Sequence, residues 1–187
     1  TKDRVTFNKN RKIKLIATSW SANMKKGFDT YKWLDDNLNF YKYEMTFIGN
    51  SPVKFKNIIH KKPMNSLELV KELKQHDIYI TASKIEACSN SLIEAMHCGL
   101  VPIAYNGSSN VEIVNKSGEL FVSNEDILIL LEKIIVDYNI YKSNINLPNI
   151  NEVGQLYYNF LKNIYNKQNN GSYKSKKFNI IGYLKLK

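Results

Sequence analysis

Cysteine is scarce in this sequence, with only Cys88 and Cys98 among 187 residues. Two cysteines are too few for a disulfide framework, and both fall in segments with the pattern of buried elements. We therefore expect a reducing compartment, which predicts a cytoplasmic protein. Neither cysteine belongs to a CxxC pair or accompanies a spaced histidine pair, so no metal site is predicted.

Long apolar runs are absent as well. The longest purely apolar stretch, Ile127 to Leu131, is far shorter than the roughly 18 residues that a membrane-spanning helix needs. The first ten residues also lack the apolar centre of a signal peptide. Apolar residues nevertheless make up 43% of the chain and charged residues 24%, as in a globular protein with a sizeable core.

Arginine is nearly missing, since only Arg4 and Arg11 occur, and the net charge of +10 resides at the two ends of the chain. Six of the first 14 residues are basic, and residues 167–187 hold six lysines and no acid. The middle of the chain is close to neutral. Because the forked arginine side chain favours guanine edges and paired phosphate contacts, we do not expect a nucleic-acid partner. A nucleic-acid-binding module that uses the basic ends and aromatic faces stays open as an alternative.

Short apolar strands and amphipathic helices alternate through the sequence. Strands are predicted over 13–18, 45–48, 57–60, 77–82, 100–105 and 118–122. Helices are predicted from about Gly27, from Ser66 as N-cap through Gln75 with a stripe of Leu67, Val70 and Leu73, and over 91–98, 111–115 and 126–138. This order predicts an α/β, Rossmann-like open parallel sheet with helices on both faces.

The domain organisation follows from the same pattern and from composition. A basic leader occupies residues 1–12, and the Rossmann-like domain occupies residues 13–150, with 139–151 predicted as an Asn-rich loop. A helix is predicted over 151–166, followed by a basic tail over 167–187.

Three polar loops follow strands of the predicted sheet, over 19–27, 83–90 and 106–110. Ligands of open parallel sheets bind beyond the carboxyl ends of the strands, so these loops are the candidate site. In the first loop, Lys26 precedes a helix start and suits an anion such as phosphate. In the second, Glu86 lies in the loop and Glu94 is expected in the opening turn of the next helix. Carboxylates accept paired hydrogen bonds from vicinal hydroxyls, so the predicted ligand carries both phosphate and hydroxyl groups.

The run EACSNSLIEAMHCGLVPIAY resembles the donor-binding signature of the retaining glycosyltransferases of family 4, which have the GT-B architecture. Lys26-Gly27 also resembles the Lys-Gly of that family, and Glu112 in VEIV resembles the glutamate of its Pro-Glu-Ile motif. The resemblance covers about residues 13–122 and implies the C-terminal, donor-binding half of a GT-B fold. An N-terminal domain, missing from this chain, would then carry the acceptor site.

The resemblance implies a role for each matching residue. Lys26 and Glu86 would be catalytic, with Lys26 on the donor diphosphate and Glu86 on the transferred sugar. Backbone amides near Ser89, Asn90 and Ser91 would hold phosphate, and Glu94 would bind the ribose. The base would rest against residues 60–64. Where many members have an arginine, this chain has Trp20 or Ser21, and Ala87 replaces a glycine.

The implied reaction is transfer of a hexose from a UDP-, GDP- or ADP-sugar, with retention, to a cell-envelope or lipid-linked glycan. No DxD sequence occurs, so no metal or other cofactor is expected. The chain alone is expected to be an inactive fragment. The tail, which mixes lysines with apolar residues, suits contact with the inner face of an anionic membrane. A non-catalytic Rossmann-like interaction module is a further alternative.

Overall fold

The computed structural model describes residues 6–174, and the chain divides into two units, Thr1–Leu147 and Pro148–Lys187. The strands of the first unit are β1 (Ile13–Ser19), β2 (Tyr43–Gly49), β3 (Ile59–Lys61), β4 (Ile78–Thr81), β5 (Val101–Tyr105) and β6 (Glu119–Phe121). Its helices are α1 (Phe28–Asn37), α2 (Ser66–Leu73), α3 (Asn90–His97), α4 (Asn110–Val114), α5 (Asn124–Val136) and α6 (Tyr138–Ser143).

The six strands form one parallel sheet in the order β3-β2-β1-β4-β5-β6. On one side of β1, β2 pairs with β1 and β3 pairs with β2. The chain then crosses back, and β4 pairs with the other side of β1. The strand order therefore reverses between β1 and β4. In open α/β sheets this reversal opens a crevice at the carboxyl ends of the two strands, because their following loops separate.

Helices cover both faces of the sheet, as predicted. One core cluster contains the buried side chains of α1, α5 and α6, and a second contains those of α2, α3 and α4. Leu15, Ile16 and Ala17 are fully buried, because successive side chains of β1 point into opposite cores. This two-sided burial explains why the central strands are continuous apolar runs, and the predicted Rossmann-like fold is confirmed.

Residues of the predicted leader also pack on this unit. Arg11 donates from Nη1 and Nη2 to the fully buried carboxylate of Asp77, at 2.8 and 2.9 Å. The ring of Phe7 stacks on Tyr138, with 3.8 Å between ring centroids. The start of α6 is thus held against the residues that precede β1.

Two local predictions about α2 are wrong. Asn65, not Ser66, caps α2, because the Asn65 side chain accepts from the N–H of Glu68. The predicted Leu67 stripe is also wrong, since Leu67 is 79% exposed and Leu69 packs beside Leu73 instead.

Two further corrections concern a loop and a cysteine. The predicted loop over 139–151 contains most of α6, which begins at the buried ring of Tyr138. Cys88 is exposed, because it lies in the loop before α3 and not in a buried element.

The second unit contains α7 (Ile150–Asn169), where a helix was predicted over 151–166. Asn149 caps it, and Glu152 reaches back to the Asn149 N–H to complete a capping box. None of the described helices is long and apolar enough to cross a membrane. The tail predicted to contact a membrane lies mostly in 175–187, outside the described residues, as do residues 1–5 of the leader.

Candidate active site at the carboxyl ends of β1 and β4

Lys26 is placed by a short 3-10 turn, Met24–Lys26, between β1 and α1. The turn begins at Asn23, whose side chain accepts from the N–H of Lys25, and ends at Gly27. Gly27 has a φ of 85°, and a Cβ there would lie 2.3 Å from the carbonyl oxygen of Ala82. Only glycine therefore allows this loop to lie against the end of β4, and the close approach brings Lys26 beside the second polar loop.

Lys26 and Glu86 form an ion pair across the crevice between β1 and β4. The Lys26 Nζ lies 2.7 Å from Glu86 Oε2 and 3.0 Å from Oε1, and Ser83 Oγ donates to Oε2 at 3.2 Å. The Lys26 side chain is 32% exposed and that of Glu86 is 20% exposed. Two groups predicted to bind one donor therefore meet directly, and both remain accessible to a ligand.

The third polar loop holds the backbone of Glu86 in place. Ser109 donates to the Glu86 carbonyl oxygen from its hydroxyl at 2.9 Å and from its N–H at 3.3 Å. The buried side chain of Asn110 donates to the carbonyl oxygens of Tyr105 and Ser83. This loop was predicted to be part of the site, but its described role is to position the second loop. Its location after β5 was the only sequence signal for that role.

Helix α3 begins at the crevice with free hydrogen-bonding capacity. Helices α2, α5 and α7 each have a capping box, whereas within residues 6–174 no side chain caps α3. The first backbone N–H groups of a helix have no partner inside the helix and carry partial positive charge. Ser89 and Ser91 thus offer donors and a dipole suited to an anion, whereas the Asn90 N–H donates to the Cys88 carbonyl oxygen at 3.1 Å.

The hydroxyl groups of two buried tyrosines form hydrogen bonds next to the crevice. The Tyr79 hydroxyl lies 2.8 Å from Thr18 Oγ1, and the Tyr31 hydroxyl accepts from the Ala82 N–H at 3.1 Å. Burial raises the pKa of both tyrosines, so their hydroxyls remain protonated at neutral pH. Sequence reasoning missed these hydroxyl groups, because tyrosines inside apolar strands and helices are indistinguishable from core residues.

These parts enclose a cavity of about 330 Å³. All six residues predicted to bind or transform a donor line it: Lys26, Glu86, Ser89, Asn90, Ser91 and Glu94. Glu94 is the fifth residue of α3, so its predicted place in the opening turn is wrong, although it still reaches the cavity. Sequence reasoning also missed Thr18, Tyr31 and Thr81, which line the same cavity.

The opposite side of the cavity is more apolar. Its wall contains Ile48 near the end of β2, Pro63 and Met64 after β3, and Leu69 of α2. His60 belonged to the predicted base-binding segment, but its Nε2 donates to the Gly49 carbonyl oxygen at 2.9 Å and its ring packs on Phe47. Of that segment, Pro63 and Met64 line the cavity. Among the described residues, no group of three or more His, Cys, Asp or Glu side chains could hold a metal ion.

Comparisons with solved structures identify the same fold in enzymes. Sucrose-phosphate synthase from Thermosynechococcus elongatus is 13% identical, with a TM-score of 0.61 over 80% of this chain and 46% of that one. The apo lipopolysaccharide outer core galactosyltransferase WaaB is 15% identical, with a TM-score of 0.59 over 73% and 45%. The pneumococcal O-GlcNAc transferase GtfA, in complex with UDP and GlcNAc, is 18% identical, with a TM-score of 0.50 over 72% and 28%.

The chain therefore spans less than half the length of each of these proteins, and the shared fold is the GT-B type of Rossmann-like domain. Among curated proteins, none matches this sequence significantly. The family model described as "Glycosyl transferases group 1" matches residues 8–144. This range includes the whole sheet and every residue that lines the cavity. The chain belongs to the family of the glycosyl transferases group 1.

Proposed function

We propose that this chain is the donor-binding half of a retaining glycosyltransferase of family 4. The donor is a UDP-, GDP- or ADP-hexose, and the acceptor is a cell-envelope or lipid-linked glycan bound mainly by an N-terminal domain. The observation that carries this proposal is the meeting of Lys26, Glu86 and Glu94 with the uncapped start of α3 around one cavity. That the chain spans less than half of its structural neighbours supports a second domain.

The donor diphosphate is assigned to Lys26 and the first turn of α3. A lysine ammonium and backbone N–H groups, all directed at one anion, stabilise the negative charge that grows on the leaving diphosphate. They supply this stabilisation without a metal ion, so the reaction requires none. Thr18, which lines the cavity, is positioned by its hydrogen bond with the buried Tyr79 hydroxyl.

The two carboxylates are assigned to hydroxyl groups at either end of the diphosphate. Glu94, one turn inside α3, accepts hydrogen bonds from the ribose hydroxyls. Glu86, held by Ser109 and Ser83, contacts the transferred sugar. Glu86 also forms an ion pair with Lys26, so a donor that binds both residues replaces part of this pair. The GtfA structure, which contains UDP and GlcNAc, supports a nucleotide-sugar donor of this kind.

Nucleotide binding to the chain tests this assignment. By calorimetry we expect UDP, GDP or ADP to bind, and Lys26→Ala to weaken that binding at least tenfold, because a charge-assisted contact to phosphate is lost. Lys25→Ala is the matched control, since Lys25 is the adjacent lysine of the same turn and does not line the cavity. The absence of heat with all three nucleotides at millimolar concentration would contradict the proposal.

Activity is tested in the full-length enzyme that contains this chain. Lys26→Ala is expected to lower turnover by roughly 10²-fold, comparable to removing one oxyanion donor. A steady-state change below threefold would remove Lys26 from the site. Retention predicts that the product keeps the anomeric configuration of the donor, which proton NMR of the product determines.

A further inference from the structure

Trp20 is an exposed aromatic residue at the rim of the cavity. It lies in the loop after β1, lines the cavity and is 69% exposed. A tryptophan ring in water leaves a large apolar area unburied, which a ligand with a planar face can cover. Trp20 stands where the resemblance places an arginine or its neighbour, so the family roles assigned to the site do not explain it.

The backbone at Trp20 is held in place before any ligand arrives. Asn50 Nδ2 donates to the Trp20 carbonyl oxygen at 2.7 Å, and the Asn50 N–H donates to the Ser19 carbonyl oxygen at 3.0 Å. Ser19 Oγ donates to the Ser21 carbonyl oxygen at 2.8 Å. Gly49, with a φ of 131°, allows this contact, because a Cβ there would lie 1.8 Å from the Ser19 carbonyl oxygen. The loop is therefore tied to the end of β2, which lowers the entropy cost of presenting the ring.

These hydrogen bonds hold the backbone of Trp20 beside the end of β2, which contributes to the apolar side of the cavity. Asn50 directly follows β2, and the neighbouring lining residues Ile48, Pro63 and Met64 come from the ends of β2 and β3. The charged lining residues are Lys26, six positions after Trp20 in the same loop, Glu86 in the loop after β4, and Glu94 in α3. A nucleotide has a matching division, with an apolar planar base at one end and phosphates at the other.

Of the aromatic rings in the cavity, that of Trp20 is the one available to stack on a ligand. Of the described residues, only Trp20 and Tyr31 contribute aromatic rings to the cavity. Tyr31 is 2% exposed and its hydroxyl is bonded to the backbone of Ala82, so its faces are packed in the core. A base that enters the apolar side therefore meets one available aromatic face.

We propose that the indole of Trp20 stacks on the base of the nucleotide donor and sets the affinity of the site for its nucleoside half. This inference rests on the proposed function, because it assumes a nucleotide ligand in the same cavity. Base stacking on an aromatic ring is tolerant of base identity, so Trp20 adds affinity for any nucleotide, and polar groups of the cavity select among bases.

The first test uses tryptophan fluorescence, because the chain contains only Trp20 and Trp33. Trp33 is partly buried on α1 and does not line the cavity, so Trp33→Phe leaves Trp20 as the single reporter. We expect UDP, GDP or ADP to quench its emission at saturation, and inorganic pyrophosphate to leave it unchanged. Nucleotide binding without quenching would overturn the inference.

The second test measures affinity by calorimetry in the otherwise unchanged chain, so it does not depend on Trp33→Phe. Trp20→Leu is expected to weaken nucleotide binding tenfold or more, Trp20→Phe less than threefold, and neither to change pyrophosphate binding more than twofold. Equal losses for nucleotide and pyrophosphate, or unchanged nucleotide affinity in Trp20→Leu, would overturn the inference while the proposed function stands. If the unmodified chain binds pyrophosphate but no nucleotide, the proposed function itself fails.

Discussion

Replacing Glu86 with glutamine should strengthen the binding of a nucleoside diphosphate. The Lys26 ammonium donates to both oxygens of the Glu86 carboxylate, at 2.7 and 3.0 Å. A diphosphate must compete for Lys26 and also sits near the negative charge of Glu86. Glu86→Gln removes that charge but keeps the shape of the side chain, so both penalties become smaller.

The magnitude follows from Coulomb's law. A phosphate oxygen that approaches Lys26 comes to about 5 Å from the Glu86 carboxylate, where two unit charges repel by about 1 kcal/mol in water and about 3 kcal/mol at an effective dielectric constant of 20. Because the Lys26 and Glu86 side chains are 32% and 20% exposed, solvent screening favours the lower value. We expect a gain in UDP affinity of about five- to tenfold, while transfer in the full-length enzyme falls because the sugar loses its carboxylate.

Calorimetric titration with UDP and with pyrophosphate at low ionic strength measures this gain. Glu125→Gln is the matched control, since it removes the same charge at an exposed position on α5 and does not line the cavity. Added salt should narrow the difference between Glu86→Gln and the unmodified chain. Weaker or unchanged UDP binding by Glu86→Gln would refute the view that Glu86 competes with the donor for Lys26.

Two further predictions concern stability. Asp35 is buried and accepts hydrogen bonds from the N–H groups of residues 56–58 at 2.7 to 2.8 Å, so Asp35→Asn should cost about 3 kcal/mol in denaturant unfolding. Burial alone would raise the Asp35 pKa, but these donors outweigh burial and hold the pKa below its ordinary value of 3.8. The stabilisation is therefore present above about pH 4 and is lost as the pH falls through the folded pKa. The pH dependence of stability that comes from Asp35 should be absent in Asp35→Asn, and an unchanged pH profile would contradict this prediction. Gly27→Ala should lower stability by about 3 kcal/mol and weaken nucleotide binding, because a Cβ would strike Ala82 and the positive φ disfavours alanine. Its control, Gly154→Ala in α7, has no atom near the new methyl group and should not lower the melting temperature; equal effects of the two changes would show that the contact with Ala82 is not the cause.

The central strands were predictable because burial on both faces leaves a clear mark in the sequence. The runs that became β1, β4 and β5 are apolar without alternation, and the glycine after α3 has the positive φ expected of a helix end. The stripe of α2 was wrong because this short helix contains apolar residues on more than one face, and the sequence does not say which face meets the sheet. Helix α6 was missed because it lies in the Asn-rich segment 139–151, whose composition is typical of loops. The packing of Tyr138 against Phe7 outweighs that local preference.

The candidate site was predictable in its members but not in their contacts. Loops after parallel strands meet at one edge of a sheet, so Lys26, Glu86 and Glu94 could be assigned to one place from spacing and resemblance. The ion pair between Lys26 and Glu86 joins residues 60 positions apart, and its geometry depends on how closely Gly27 approaches Ala82. Neither distance follows from local sequence patterns. The same holds for the support of Glu86 by Ser109.

The adjacency of β1 and β4 has a consequence for how a ligand would affect the whole molecule. These two strands meet only after the chain has crossed from one half of the sheet to the other, so neither half contains both sides of the crevice. A nucleotide held between Lys26 and α3 would contact both halves of the sheet where β1 and β4 meet. Its binding should therefore slow amide hydrogen exchange throughout the two central strands, and not merely in the loops that touch it.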